Sequence, residues 1–342
     1  LDAGQCRDCF LPGFGHRPGN SVQYALAIRN FDDPKNPTRL NWGIIASSDN
    51  HRARPGTGYK NVDRLRTTEA VRVRDGWVER IYPKSEKSSE PVNLGREELM
   101  ERGFGATELE RQASFWTTGG LAAVHSEGRS REEVFAAIKR RETYGTSGAR
   151  ILLWFNTKDG VPMGSTTKQA QSPVFEVKAV GAHKQKPGCA EETIDALGAD
   201  RIQKLCANEC FNPDNERMKI TRFEIVRIRP QITQGESVDN LIDDPWKTIA
   251  CNDNGNGCSE TFTDPEFAAS GRMATYYARA IQEPTQKINA DNLRCTYDEE
   301  GNCTKVDICY GDGRTAADDD CLGEVEERAW SSPIYVEHIN SK

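Results

Sequence analysis

The distribution of cysteine is the feature of this sequence that most constrains its fold. The chain of 342 residues contains eleven cysteines, and nine of them lie after residue 188. They are Cys6, Cys9, Cys189, Cys206, Cys210, Cys251, Cys258, Cys295, Cys303, Cys309 and Cys321. Such clustering is typical of disulfide bracing, so all eleven are disulfide candidates and we expect a secreted or periplasmic protein. Zinc is the alternative, but the one Cys-x-x-Cys spacing has no histidine at finger spacing after it. The odd total leaves at least one thiol unpaired or paired outside the chain.

Length and composition narrow the class of protein. At roughly 150 residues per domain, the chain has room for two domains. Acidic residues exceed basic ones by 52 to 45, which gives a net charge of −7 and argues against a general affinity for nucleic acid. No apolar run approaches the roughly 18 residues of a membrane-spanning helix, so we expect no membrane span. The chain begins at Leu1 without a signal pattern, which indicates a processed or partial chain.

Residues 1–150 alternate short apolar runs with helical patterns, which predicts an α/β layer or barrel. The run Trp42–Ala46 ends at polar residues, as a buried strand ends at a loop. Ser130 and Glu133 form a capping box, which predicts the start of a helix that continues to Arg141. The apolar face of that helix consists of Val134, Phe135 and Ile138.

Residues 151–342 are dominated by strand patterns, which predicts a β-sandwich-like domain with long, disulfide-pinned insertions. The strongest patterns are Ile151–Phe155, Phe175–Ala179, Phe223–Ile228 and Ile334–Val336. Two acidic loops, at 252–257 and 318–320, raise the alternative of calcium binding. The first lacks the closing glutamate of a calcium hand, so we favour a disulfide-closed turn there and a solvated turn at the second.

The residues with the clearest chemistry follow the run Trp42–Ala46. Asp49 and His51 combine an oxygen and a nitrogen ligand, a donor set that suits Zn, Mn or Fe. Taken alone, an Asp-x-His spacing also fits a turn aspartate beside a surface histidine. A basic, glycine-containing loop comes next, in which Arg54 can clamp an anionic oxygen. His125 with Glu127 precedes the capped helix, and we interpret these two residues as a loop pair.

The run SSDNHRARPGTGYK, residues 47–60, resembles the fourth metal-binding motif of the PHP (polymerase and histidinol phosphatase) superfamily. More closely, the chain is similar to the DUF3604 branch of secreted proteins. The resemblance continues in five further blocks. They are GGLAAVHSEGRSREEVFAAIKRRETYGTSGARI (119–151), KQKPGC (184–189), LCANECFNP (205–213), IQEPTQKINADNLRC (281–295) and ERAWSSPIYV (327–336).

The resemblance implies a distorted (β/α) barrel whose metals activate water to attack a phosphate or other ester. Asp49 and His51 are the metal ligands that the resemblance implies. From their charge and position in glycine-containing segments, we predict Arg54 as a catalytic residue and Arg52, Arg17 and Lys60 as substrate-binding residues. The His-x-His motif of the superfamily has no counterpart here, so we expect the chain to be the carboxyl-terminal half of a longer protein, with the amino-terminal half as its partner.

The function that follows is a metal-dependent hydrolase acting on a small anionic or ester substrate. Hydrolysis of a carboxylic or sulfate ester remains a related alternative, since the same centre serves it. A non-catalytic binding or structural protein with a degenerate metal site is the other alternative.

Overall fold

The structure is a computed structural model, and it describes residues 21–47, 60–64, 97, 100–101, 120–288, 290, 294–307, 309, 315–316 and 318–339. The strands in this part are β1 (Leu121–Val124), β2 (Thr143–Thr146), β3 (Leu152–Thr157), β4 (Thr166–Gln169), β5 (Val174–Val180), β6 (His183–Gln185), β7 (Pro213–Arg217), β8 (Ile220–Ile228), β9 (Ile242–Ala250), β10 (Cys258–Thr263), β11 (Ala274–Gln282), β12 (Thr285–Ile288), β13 (Thr296–Tyr297), β14 (Cys303–Lys305), β15 (Leu322–Val325), β16 (Arg328–Ser331) and β17 (Ile334–His338). The helices are α1 (Val22–Ala27), α2 (Arg131–Lys139), α3 (Glu191–Leu197), α4 (Ala199–Cys206) and α5 (Phe267–Ser270), with a 3-10 turn at Val238–Asn240.

Strands dominate the described residues, which confirms the strand-rich character expected after residue 150. The sheets in this part of the chain are open, and none of them closes into a barrel. The barrel half expected in residues 1–150 falls largely outside the described residues. Among the helices that are described, none has the length and apolar character needed to cross a lipid bilayer.

Strand β11 is the centre of an eight-stranded sheet. It pairs antiparallel with β8 along one edge and with both β16 and β17 along the other. Strand β9 extends the sheet beyond β8, β2 and β1 extend it beyond β16, and β4 runs parallel to β17. Since β1 and β2 precede residue 150, one sheet contains residues from both of the expected domains. The division into 1–150 and 151–342 stays a prediction.

A second, three-stranded antiparallel sheet (β10-β5-β3) packs its apolar face against the large sheet. The alternating pattern of β5 buries Phe175, Val177 and Ala179 and exposes the residues between them. The ring centroid of Phe175 lies 4.7 Å from that of Tyr276 on β11 and 5.2 Å from that of Phe262 on β10. The main hydrophobic core therefore lies between the two sheets.

The opposite face of the large sheet is covered by α1. Leu26 and Ala27 of this helix pack on Tyr277 and Tyr335, and all four residues are buried. Because β11 has a core on each face, nearly all of its residues are buried, which explains why its sequence is apolar without a strict alternation.

The disulfide prediction is confirmed for eight of the cysteines. The bonds are Cys189–Cys210, Cys251–Cys258, Cys295–Cys303 and Cys309–Cys321. Cys206 has a free thiol, and Cys6 and Cys9 lie outside the described residues. Four disulfides fit a protein from a non-cytoplasmic, oxidising compartment.

The loop between Cys251 and Cys258 is a disulfide-closed turn organised by Asp253. Its carboxylate accepts hydrogen bonds from the backbone N–H groups of Ile220 (2.8 Å), Gly257 (2.8 Å) and Gly255 (2.7 Å). Burial raises the pKa of Asp253, but these hydrogen bonds outweigh burial and hold the pKa below its usual value. The backbone therefore satisfies this carboxylate within the disulfide-closed turn.

Helix α2 begins where the capping box predicts. The Ser130 hydroxyl accepts from the Glu133 N–H, and the Glu133 carboxylate accepts from the Ser130 N–H. Its expected apolar face is not buried, because Phe135 is 64% exposed and Ile138 is 50% exposed, while Ala137 is fully buried. The helix instead turns the narrow side at Ala137 toward β1, the strand on which it packs.

The segment 42–46 is not the buried strand that its sequence predicts. It forms no strand, and Ile45 is 66% exposed. Its backbone bonds to side chains instead: the N–H of Trp42 donates to the Tyr335 hydroxyl at 2.6 Å, and that hydroxyl donates to the Trp42 carbonyl at 2.7 Å. A Cβ atom added at Gly145 of β2 would lie 2.8 Å from the Cβ of Ala46. The segment 42–46 therefore packs on the sheet at Gly145 without pairing as a strand.

Candidate functional site

Most of the residues predicted to form the site lie outside the described part of the chain. This applies to Asp49, His51, Arg52, Arg54 and Arg17. Lys60, the last residue of the SSDNHRARPGTGYK run, is described, and it provides the starting point for the site.

Lys60 is buried and fully engaged with the protein. Its side chain is 7% exposed, and its Nζ donates to the Glu209 carboxylate at 2.5 Å and to the Gly188 carbonyl at 2.7 Å. The hydrogen bond from Lys60 holds the pKa of Glu209 below its usual value. Both partners of Lys60 adjoin the Cys189–Cys210 disulfide in sequence. Lys60 thus fastens the segment 60–64 to the disulfide-closed excursion that runs from β6 to β7.

A cleft of about 800 Å³ opens beside Lys60. One wall belongs to the excursion between β6 and β7, and the other belongs to the loop after β2 and the connection from β11 to β12. The cleft has the size of a site for a small organic ligand. Its charged lining residues, among those described, are the cations Lys60, Arg150, Lys184, Lys186, Arg217 and Lys287 and the anions Glu209 and Glu327.

One wall of the cleft includes a buried polar cluster around Glu327. The side chains of Lys287 and Glu327 are 10% and 8% exposed, and the Lys287 Nζ lies 2.8 Å from the Glu327 carboxylate. Lys287 also donates to the Ser147 carbonyl, and the Ser147 hydroxyl donates to Glu327. Each charge in the cluster has an opposite partner, as burial of ions requires.

Arg150, which lies in the loop after β2, stacks on a residue of the opposite wall. The central guanidinium carbon lies 3.8 Å from the ring centroid of Phe211, which follows the disulfide cysteine Cys210. Such stacking is a favourable cation–π contact, and it fixes the plane of the guanidinium while its N–H edges remain available.

The chain matches one family model, described as "Protein of unknown function (DUF3604)", over residues 32–338. The chain belongs to the DUF3604 family. Comparison with curated proteins found no match, and comparison with solved structures found none either. The matched region contains every described residue that lines the cleft.

The DUF3604 blocks noted in the sequence meet at this cleft. Each of the six blocks supplies at least one lining residue; examples are Lys60, Arg150, Lys186, Glu209, Lys287 and Glu327. Sequence reasoning missed all of these except Lys60. The signal that could have found them is the occurrence of a charged residue within each block, although only folding shows that the blocks converge.

One group of possible metal ligands occurs among the described residues of this DUF3604 chain, formed by Cys309, Asp319 and Cys321. The two cysteines form a disulfide, and the carboxylate oxygens of Asp319 accept from Arg294 at 2.8 and 2.9 Å. The hydrogen bond from Arg294 lowers the pKa of Asp319. The two sulfurs are bonded to each other, and the carboxylate of Asp319 is paired with Arg294. We therefore assign this group a structural role and not a role in metal binding.

A second buried charge cluster surrounds Arg227, which is 6% exposed. It donates to Asp264 at 3.0 Å, to Asp243 at 2.9 Å and to Glu266 at 2.7 Å. The Tyr276 hydroxyl donates to Asp264 at 2.7 Å, and burial followed by the charge of Asp264 raises the pKa of Tyr276. The cluster is satisfied by its own members, so we assign it a structural role.

Two of the described histidines, His125 and His183, also have structural partners. The Nε2 atom of His125 lies 2.8 Å from the Leu153 carbonyl, and its ring lies against Tyr144 and Trp154. The Nδ1 atom of His183 lies 2.7 Å from the Asp214 carbonyl.

Proposed function

We propose that this chain is part of a secreted or periplasmic metal-dependent hydrolase that cleaves phosphoesters or related esters. The observation that carries the proposal is the cation-rich cleft, which begins at the last residue of the run that resembles a PHP metal-binding motif. An excess of cations in a concave site favours an anionic substrate.

Under this proposal Asp49 and His51 are the metal ligands, and the pairing of an oxygen with a nitrogen donor fits Zn, Mn or Fe. When bound, the metal would act as a Lewis acid and lower the pKa of a water molecule. Arg54 stabilises negative charge that develops on the ester oxygens, and Arg52 and Arg17 contact the substrate.

Lys60 has a more specific role in this proposal than direct contact with substrate. Its ammonium group is buried between Glu209 and Gly188. We propose that Lys60 holds the wall of the cleft in place at the end of the ligand-bearing run. A change at Lys60 would then act on the geometry of the cleft.

The alternative is a binding protein with a degenerate metal site. The number of predicted ligands favours this binding protein, because Asp49 and His51 supply two ligands and a catalytic zinc site has three from the protein. In the hydrolase proposal, the remaining ligands come from a segment with the His-x-His pattern of the PHP superfamily.

Metal analysis and an ester hydrolysis assay distinguish the two proposals. The protein as isolated from its source is analysed for Zn, Mn and Fe and assayed with p-nitrophenyl phosphate and bis(p-nitrophenyl) phosphate. The hydrolase proposal expects bound metal and hydrolysis, both lost in Asp49→Ala and His51→Ala. Asp159→Ala, in the exposed turn after β3, is the matched control and should retain both. Folded protein that contains no metal and does not hydrolyse either ester would refute the hydrolase and favour the binding protein.

A further inference from the structure

The charge balance of the cleft separates its cations into two groups. Two lysines are neutralised by the two lining carboxylates, Lys60 by Glu209 at 2.5 Å and Lys287 by Glu327 at 2.8 Å. The four other lining cations are Arg150, Lys184, Lys186 and Arg217. A cleft with this excess of positive charge stands out in a chain whose net charge is −7.

Two of these four cations are engaged elsewhere. Lys184 donates to the Glu216 carboxylate at 2.9 Å, and Arg217 donates to the Gly181 carbonyl at 2.8 Å. Within the described part of the chain, no carboxylate lies within ion-pair distance of Arg150 or Lys186. Positive charge that no carboxylate of the protein neutralises attracts an anionic ligand to a cleft.

We propose that Arg150 and Lys186 form an oxyanion subsite that binds the phosphate or sulfate group of the ligand. Arg150 is held ready for this role, because its stack on Phe211 fixes the guanidinium plane before the ligand arrives. The N–H edges of a guanidinium match two oxygens of a phosphate or sulfate group, and an ammonium adds a mobile point charge.

The size of the cleft indicates that the charged group belongs to a larger molecule. A volume of about 800 Å³ exceeds the space needed for one inorganic oxyanion. Apolar side chains such as Leu152, Ala182 and Met218 also line the cleft and can contact an uncharged portion of the ligand. The ligand class is therefore an organic phosphate or sulfate ester. This subsite deepens the proposed function by naming the part of the cleft that recognises the charged group of the substrate.

Binding measured without metal tests the subsite separately from hydrolysis. The whole protein is titrated by calorimetry in EDTA with inorganic phosphate, pyrophosphate and sulfate, at constant ionic strength set by chloride. We expect saturable binding that weakens as the salt concentration rises. Arg150→Ala and Lys186→Ala should each weaken it by about tenfold or more, the usual effect of losing a hydrogen bond to a charged group. Arg150→Lys should restore it only in part, because a lysine cannot form the bidentate contact.

Lys158→Ala, at an exposed position after β3, is the matched control and should bind like the unchanged protein. Lys186 is itself exposed, so Lys186→Ala is expected to fold even if Arg150→Ala is destabilised by loss of its stack. Tighter binding of phosphate or of sulfate identifies which ester the cleft prefers. Failure of all three anions to bind, or equal binding by the variants and the control, would overturn the subsite. If the unchanged protein binds these anions but hydrolyses neither ester, the proposed hydrolase is refuted and the anion subsite is supported.

Discussion

Replacing Lys60 by methionine removes the ammonium group and keeps most of the aliphatic stem. The change eliminates the bonds from Nζ to Glu209 at 2.5 Å and to Gly188 at 2.7 Å. A hydrogen bond to a charged group contributes about 1.5–3 kcal/mol, and removal of one partner from a fully buried ion pair costs about 3–5 kcal/mol. The Glu209 side chain is 30% exposed and retains a hydrogen bond from the Gly188 N–H at 2.9 Å. We therefore expect Lys60→Met to lower the free energy of unfolding by about 2–3 kcal/mol at pH 7.

The dependence of this loss on pH tests the reasoning further. The pKa of Glu209 is lowered in the folded protein, mainly by the hydrogen bond from Lys60. Stability from a lowered carboxyl pKa is present above the unfolded value of about 4.3 and is lost as pH falls through the folded pKa. The difference in the free energy of unfolding between the unchanged protein and Lys60→Met should therefore decrease as the pH is lowered below about 4.3.

Urea unfolding followed by fluorescence at a series of pH values measures both quantities. Lys158→Met is the matched control, since it removes an exposed lysine, and it should change stability by less than about 0.5 kcal/mol. A loss for Lys60→Met as small as that of the control would contradict the assigned contacts. If Lys60→Met loses the same free energy of unfolding at pH 7 and at acid pH, the ion pair with Glu209 is not the cause of that loss.

Three other perturbations test the buried cluster around Arg227 and the contacts of the segment 42–46. Tyr335→Phe removes both bonds to the Trp42 backbone and should cost about 1–3 kcal/mol by urea unfolding; no measurable loss would mean that these bonds do not hold the segment. Burial raises the pKa of Tyr335 to about 12. The contribution of the protonated Tyr335 hydroxyl to stability should therefore be complete below about pH 10 and lost as the pH rises through 12. Absorbance of the phenolate follows this ionisation. Asp264→Asn should cost about 1.5–3 kcal/mol, because it weakens the hydrogen bonds that the buried carboxylate accepts from Arg227 and from the Tyr276 hydroxyl, and an unchanged melting curve would argue against the cluster. Gly145→Ala should cost about 1–3 kcal/mol through a clash with the segment 45–46, and a neutral result would place that segment farther from the sheet.

Features set by neighbouring residues could be predicted from the sequence. The capping box of α2 involves groups three residues apart, and the alternation of β5 spans seven residues. The disulfide Cys251–Cys258 closes a turn over a separation of 7 residues, as its acidic loop indicated. Cys189–Cys210 could not be assigned in the same way, because Cys206 is a competing partner only four positions from Cys210.

Failures of prediction arose where packing overrides local pattern. The apolar run 42–46 resembles a buried strand, yet its hydrogen-bond partners are the side chains of Tyr335 and Ser332, far away in sequence. Phe135 and Ile138 have helical spacing, yet only the side of α2 that carries Ala137 is buried. Periodicity reports how side chains are spaced along an element and not which neighbour the element meets.

The sequence by itself determined the family, the clustering of cysteines that predicted disulfides, and the helices and strands with strong local signals. Only the tertiary structure decided which cations of the cleft are paired with a carboxylate and which have no such partner among the described residues. Lys60 and Glu209 lie 149 residues apart in the chain, but their charged atoms are 2.5 Å apart once it folds. Because electrostatic energy depends on distance in space, a lysine fixed in an ion pair and a lysine open to a ligand have the same appearance in the sequence.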